Sequence, residues 1–358
     1  MTDQAADNPL LEEHELPPFS RILPEHVEPA IKQLIEEAKA TVDSLLATTD
    51  QHTWDTLPGS LESVEDRLAR AWSPVSHLNS VCNSEALREA YNACLPLISE
   101  YSTWTGQHGD LCSAYQGIAD SDEFSSLTDA QKKEVEHALR DFRLAGVSLP
   151  EAEKERFAAL KKRLSKLGSQ FNENVLDATN AWSKLLTVED LAGLPETALA
   201  SARQMAEQSG EDGYLINLDF PSYMPVMTYC HNRELREEVY TAYCTRASEL
   251  GPNAGEWDNS EIITETLELR HELAQLLGFG SYAELSLETK MAQEPEKVMG
   301  FLQQLAEKSL PQAQKEWQAL TEFARSKGEE TLMAWDVNYY SEQLRQKEYE
   351  ISQEDVRP

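Results

Sequence analysis

The chain has 358 residues, 41% hydrophobic and 26% charged, enough for two or three domains with a sizeable core. A formal net charge of −32 repels phosphate backbones and anionic lipid, which argues against nucleic acid and membrane surfaces as partners. The most apolar stretch, Tyr214 to Cys230, is broken by Asp219, Pro221 and Pro225, so no run is long enough to span a bilayer.

Met1 to Pro18 carries Asp3, Asp7, Glu12, Glu13 and Glu15 and no basic residue, a pattern unlike a signal peptide. Helical periodicity then dominates. Pro24 to Ala47 repeats apolar residues at Val27, Ile31, Leu34, Ile35, Val42 and Leu45. Asp129 to Ala145 does so at Val135, Ala138, Leu139 and Phe142. From Glu153 to Leu186 one stripe runs through Phe157, Leu160, Leu164, Leu167, Phe171, Val175, Ala178, Trp182 and Leu185. Its steps of three or four predict one long amphipathic helix, with a face that must be buried.

Tyr214, Ile216, Leu218 and Phe220 alternate with polar or outward positions, a period-two pattern that predicts a strand. A helix over Glu234 to Ala247 follows, with Asn232 as its N-cap. Ser260 to Leu277 reads as another, ending at Gly278, and Ser281 with Glu284 reads as a capping box for the next. Pro295 suits the first turn of a helix carrying Val298, Phe301, Leu302 and Leu305. Ala313, Trp317, Leu320 and Ala324 mark one more stripe. Chain breaks fall near Gly146 to Pro150, Gly193 to Pro195, Gly210 to Gly213 and Gly251 to Gly255. The whole predicts a mainly α fold with one small β element.

Five cysteines (Cys82, Cys94, Cys112, Cys230 and Cys244) are scattered at least twelve residues apart. That excludes a CxxC knuckle or redox pair and fits free thiols in a reducing cytoplasm. A helix-borne zinc peptidase site needs two histidines four residues apart with a glutamate after the first, so that both imidazoles share one face. The nearest match is His271-Glu272-Leu273-Ala274-Gln275, where an amide stands in place of the second imidazole. Amide oxygen is a poor zinc ligand beside imidazole, so this segment reads as a structural helix. The other histidines (His14, His26, His52, His77, His108, His137 and His231) stand at least twelve residues apart and seed no local pair. Gly278-Phe279-Gly280-Ser281-Tyr282-Ala283 fits G-x-G-x-x-A in spelling, but a Leu-rich helix precedes it where a dinucleotide site needs a strand.

One set of residues is more specific. Leu269-Arg270-His271-Glu272-Leu273-Ala274, Leu276-Leu277-Gly278-Phe279, Ser281-Tyr282-Ala283 and Lys290-Met291-Ala292 resemble, in order and spacing, the M3 (thimet oligopeptidase/neurolysin) family of zinc metallopeptidases. Val298, Phe301-Leu302, Trp335-Asp336 and Tyr339-Tyr340 extend the match. Bacterial members resemble the chain along its whole length, including Leu16-Pro17-Pro18-Phe19, the run Ser73 to Val81, and Phe220 to Cys230.

The resemblance implies two α-rich lobes flanking a narrow channel that admits short unfolded peptides. It also implies a zinc-bound water as the attacking group and a cytoplasmic setting. The residues that bind zinc and grip substrate in the family lie further toward the C-terminus, so no catalytic, metal or substrate-binding residue is assigned here. This chain is then expected to bind no zinc, to hydrolyse nothing alone, and to wall the channel, with a C-terminal catalytic half as partner. The other reading is a non-catalytic helical module that binds peptide or protein. Three regions follow: 1–150 as an N-terminal helical region, 151–258 as long helices with the β element, and 259–358 as the first helices of the catalytic region. The stripes Val298, Leu302, Leu305, Trp317, Leu320 and Phe323 are expected to lie partly uncovered, with marginal stability after about Ser260.

Overall fold

The computed structural model describes residues 8–48 and 51–351, which divide into two units. The first comprises residues 8–170 with 265–285, the second 171–264 with 286–351.

In the first unit, α1 (Pro24–Thr48) packs against α2 (Pro58–Val81) and α3 (Glu85–Gly106). The stripe foreseen on α1 is its buried face: Val27, Ile31 and Leu34 meet Leu68, Ala71 and Val75 of α2 and Leu87, Cys94 and Tyr101 of α3. A second core joins α4 (Gly109–Ala119) and α5 (Asp129–Leu144) through Leu111, Ile118, Val135 and Phe142. Thr128 caps α5 in a reciprocal box with Gln131.

The long stripe after Glu153 is only partly one helix. α6 runs Glu151–Asn180, and Ser183–Leu186 is a strand, β1. Trp182 and Leu185 therefore fall beyond the helix, although their spacing continues its period. Pairing with a distant segment decides their state. β2 (Tyr214–Asn217) lies antiparallel to β1 in the register Ser183↔Asn217 and Leu186↔Tyr214, so the expected strand has its partner there. That strand is shorter than its alternation implied. Pro221 opens a helix, α8 (Phe220–Tyr229), instead of merely ending the strand, because a first-turn proline forfeits no helical hydrogen bond.

These elements build the second unit. α7 (Glu196–Gln208) lies beside β2, and Ile216, Leu218, Tyr223, Val226, Met227, Leu235 and Val239 share one core with α9 (Arg233–Cys244). The Asn232 side chain accepts from Leu235 N at 3.1 Å, as its N-cap role requires. α9 stops three residues before Ala247, which has a positive φ of 51°.

α10 (Ser260–Leu276) ends at Gly278, with φ of 83° and Phe279 N donating to Ala274 O at 2.9 Å. Within the first unit, the α10 residues after Glu265 pack on α6 through Phe157, Leu160 and Leu273. Arg156 donates to both Glu272 oxygens (2.5 and 2.6 Å), and Arg163 to both of Glu265 (2.6 Å each). α11 (Tyr282–Leu287) follows; Glu284 N meets Ser281 Oγ, but the Glu284 carboxylate accepts from Gly280 N and Ser281 Oγ. The capping box foreseen there is thus half formed.

The two stripes foreseen after Pro295 belong to one helix. α12 runs Pro295–Ser326, through an internal Pro311. Its last turns meet α13 (Ala334–Tyr349), where Leu320, Phe323 and Ala324 pack with Tyr340, Val337 and Leu344. Leu302, Leu305 and Trp317 are 50–54% exposed, whereas Leu320 and Phe323 are buried. Among the described residues, no helix is long and apolar enough to cross a membrane.

Candidate functional site

The helix bearing the half motif uses those residues locally. His271 is exposed, and Glu272 is held by the Arg156 fork, which keeps its carboxyl below the usual glutamate range. Gln275 Nε2 donates to Phe279 O and Gly280 O at 3.0 Å each, closing the helix C-terminus. Gly278 and Gly280 thus belong to a helix end and its following turn, with no strand before them. Among the described residues, no group of three or more His, Cys, Asp or Glu could hold a metal ion. The donor set present does not fit a zinc ion of the peptidase type, which needs imidazoles converging from adjacent turns.

The most strongly organised polar centre lies in the second unit, where α13 meets α8 and α9. Asp336, fully buried in the first turn of α13, is gripped by two arginines of α9. Arg236 Nη2 donates to Asp336 Oδ1 at 2.8 Å, and Arg233 Nη2 to Asp336 Oδ2 at 2.7 Å. Met333 N adds a third donor to Oδ2 at 3.0 Å. Burial works to raise the Asp336 pKa, but the two guanidinium bonds, the Met333 amide and the charge of Arg233 outweigh it. The carboxyl consequently sits below the ordinary aspartate range.

Arg236 is 1% exposed, so its remaining donors need acceptors. Nη1 reaches Cys230 O at 2.7 Å and Nε reaches Trp335 O at 3.2 Å. The guanidinium stacks on Tyr339 at 4.0 Å from the ring centroid, and His231 meets the same ring edge-on at 6.1 Å. A planar fork serves this geometry and an ammonium would not.

His231 borders a cleft of about 500 Å³ whose walls include Gly193, Thr228, Tyr339, Lys327 and Lys347. Gly193 has φ of 100°, and a Cβ there would lie 2.3 Å from Tyr229 O and 2.6 Å from the His231 ring. Its lack of a side chain lets the imidazole approach the backbone. The cleft offers cations, an imidazole and hydrogen-bonding groups, but no activated nucleophile. A larger cavity, about 720 Å³, lies in the first unit below residues 9–18. The arginines on its wall are already spent, Arg67 on Glu37 at 2.9 Å and Arg70 on Asp66 at 2.6 Å.

Sequence reading did not foresee this centre. Asp336 entered only as part of a family-like dipeptide, and Arg233 and Arg236 were ordinary charges of an amphipathic helix. A buried arginine leaves one faint signal, position 236 lying one residue after Leu235 and three before Val239 on the packed face of α9.

The chain belongs to peptidase family M3. The profile described as "Peptidase family M3" matches residues 226–358, and that of "Neurolysin/Thimet oligopeptidase, N-terminal domain" matches residues 31–154. The chain is 54% identical over 353 residues to oligopeptidase A of Escherichia coli, an alignment covering 98% of this chain and 52% of that protein. Oligopeptidase A of Haemophilus influenzae is 53% identical with the same coverage. A "Probable cytosolic oligopeptidase A" of Arabidopsis thaliana is 36% identical over 99% of the chain and 51% of its own length. The chain thus spans about half the length of the curated relatives it matches.

Proposed function

We propose that this chain is the N-terminal portion of a zinc oligopeptidase acting on short unfolded peptides. Its helices wall the peptide channel, and zinc and the attacking water belong to polypeptide of the kind its relatives carry beyond the matched part. The carrying observation is the 54% identity over 98% of the chain to an oligopeptidase, in a sequence without two histidines within a helical turn of each other. A cytoplasmic setting belongs to this reading. It is supported by the cytosolic Arabidopsis relative and by five cysteines that all remain free thiols.

Activity separates this from the competing reading, a helical module that only holds peptide. The chain is assayed on a quenched-fluorescent peptide with zinc, alone and together with the unmatched half of the Escherichia coli relative. We expect no chelator-sensitive hydrolysis by the chain alone, and hydrolysis when both halves are present. Peptide binding with no hydrolysis in either case would favour the non-catalytic module.

A further inference from the structure

α12 is out of proportion to what the rest of the chain covers. Its 32 residues span about 48 Å at 1.5 Å per residue, yet every residue from Phe301 through Ala319 is exposed. Leu302 (50%), Leu305 (54%) and Trp317 (50%) lie on the side of the helix that Leu320 and Ala324 bury against α13. With 3.6 residues per turn these positions form one continuous stripe, of which α13 occupies only the last turns. Phe301 (65%) and Leu310 (56%) widen it. A monomeric surface rarely leaves a contiguous apolar strip of this length to water, and a lone helical arm gains little from propensity alone.

The charge pattern narrows the occupant. α12 carries four acidic residues (Glu296, Glu307, Glu316 and Glu322) and four basic ones (Lys297, Lys308, Lys315 and Arg325), net zero in a chain of −32. All the excess negative charge lies elsewhere. Two copies of the chain meeting across this helix would bring two strongly acidic bodies together, a repulsive arrangement. Polypeptide continuing the family fold is available in the relatives, which carry about as much chain again beyond the part matched here.

We infer that the α12 stripe centred on Leu302, Leu305 and Trp317 is the seat of the second half of the M3 fold. This inference rests on the peptidase reading above and gives it a surface. Docking there would bury the strip and turn a marginal arm into a core helix.

The test compares the chain alone with the same chain continued, as one polypeptide, through the unmatched half of the Escherichia coli relative. Hydrogen exchange is read on peptides spanning 301–319. We expect at least a hundredfold slowing in the continued chain. Leu302→Asp combined with Leu305→Asp should abolish that slowing, while leaving the circular dichroism and melting of the chain alone unchanged. Fast exchange at 301–319 in a continued chain whose α6 stays protected overturns the proposal. So does slow exchange in the chain alone accompanied by a dimer that the double variant disperses, since a second copy then covers the strip.

A photo-crosslinker at position 305, with the other half supplied as a separate chain, gives a reading independent of how the fusion folds. Capture at 305 and not at exposed position 16 supports the seat, and equal capture or none opposes it. Protection of α12 without peptide hydrolysis would sink the peptidase reading and leave this one standing. Hydrolysis with α12 still fast would do the reverse.

Discussion

Arg236 and Asp336, a hundred residues apart in sequence, meet at 2.8 Å with both side chains almost wholly out of water. The contact ties the first turn of α13 to α9 and so fixes where α13 and the end of α12 sit. Removing the acid strands a buried guanidinium. We expect Asp336→Ala to lower unfolding free energy by about 3–5 kcal/mol, measured by urea denaturation. Arg236→Lys should recover little of the loss made by Arg236→Ala, because an ammonium cannot reach Cys230 O, Trp335 O and Asp336 at once.

The same pair carries a pH signature. The folded-state pKa of Asp336 is depressed, so the carboxylate contributes its stability above the unfolded-state value, ordinarily 3.8, and loses it as pH falls toward the folded one. Melting temperatures taken between pH 6 and pH 3 should therefore drop more steeply for the parent chain than for Asp336→Asn. Parallel curves would mean that other carboxylates dominate acid unfolding.

Gly193 is needed for its backbone and for its emptiness. We expect Gly193→Ala to cost more than about 1 kcal/mol, since φ of 100° disfavours a side chain and the new Cβ would collide with Tyr229 O and the His231 ring. Thermal melting gives the cost. The His231 ring protons, followed by NMR, should shift in the variant.

How much of this was readable in the sequence depended on range. The stripes of α1, α5, α10 and α12 were legible because burial and helical period coincide locally. The end of α6 was not, because Trp182 and Leu185 continue the period while the chain has already turned into β1, whose state is set by Tyr214 to Asn217 about thirty residues later. α8 was hidden by Pro221 and Pro225, which read as breakers, although one opens the helix and the other sits inside it. The Arg233/Arg236–Asp336 centre joins residues about a hundred positions apart, and no spacing rule reaches that far. The half motif at His271 was the opposite case. Its chemistry was judged from ligand type alone, and the structure shows Glu272 and Gln275 engaged in an ion pair and a helix end.

Thiol chemistry should sort the cysteines by burial. Cys82 and Cys244 are exposed, whereas Cys94 and Cys230 are fully buried. Burial pushes the Cys94 thiol up to about 11 and raises that of Cys230 as well, so neither is an effective nucleophile near neutral pH. A thiol reagent at pH 7.5 should modify Cys82 and Cys244 within minutes, and Cys94 and Cys230 only after denaturation, as read by peptide mass spectrometry. Rapid labelling of Cys94 would show that the α1–α3 core opens readily.

The central claim is that this chain shapes a peptide channel but holds no catalytic metal, and zinc content tests it most directly. Protein purified with added zinc, then dialysed against metal-free buffer, is measured by inductively coupled plasma mass spectrometry. We predict far less than one zinc per chain, since no pair of imidazoles converges from adjacent helical turns. One tightly held zinc per chain, surviving dialysis and lost with a chelator, would contradict the account.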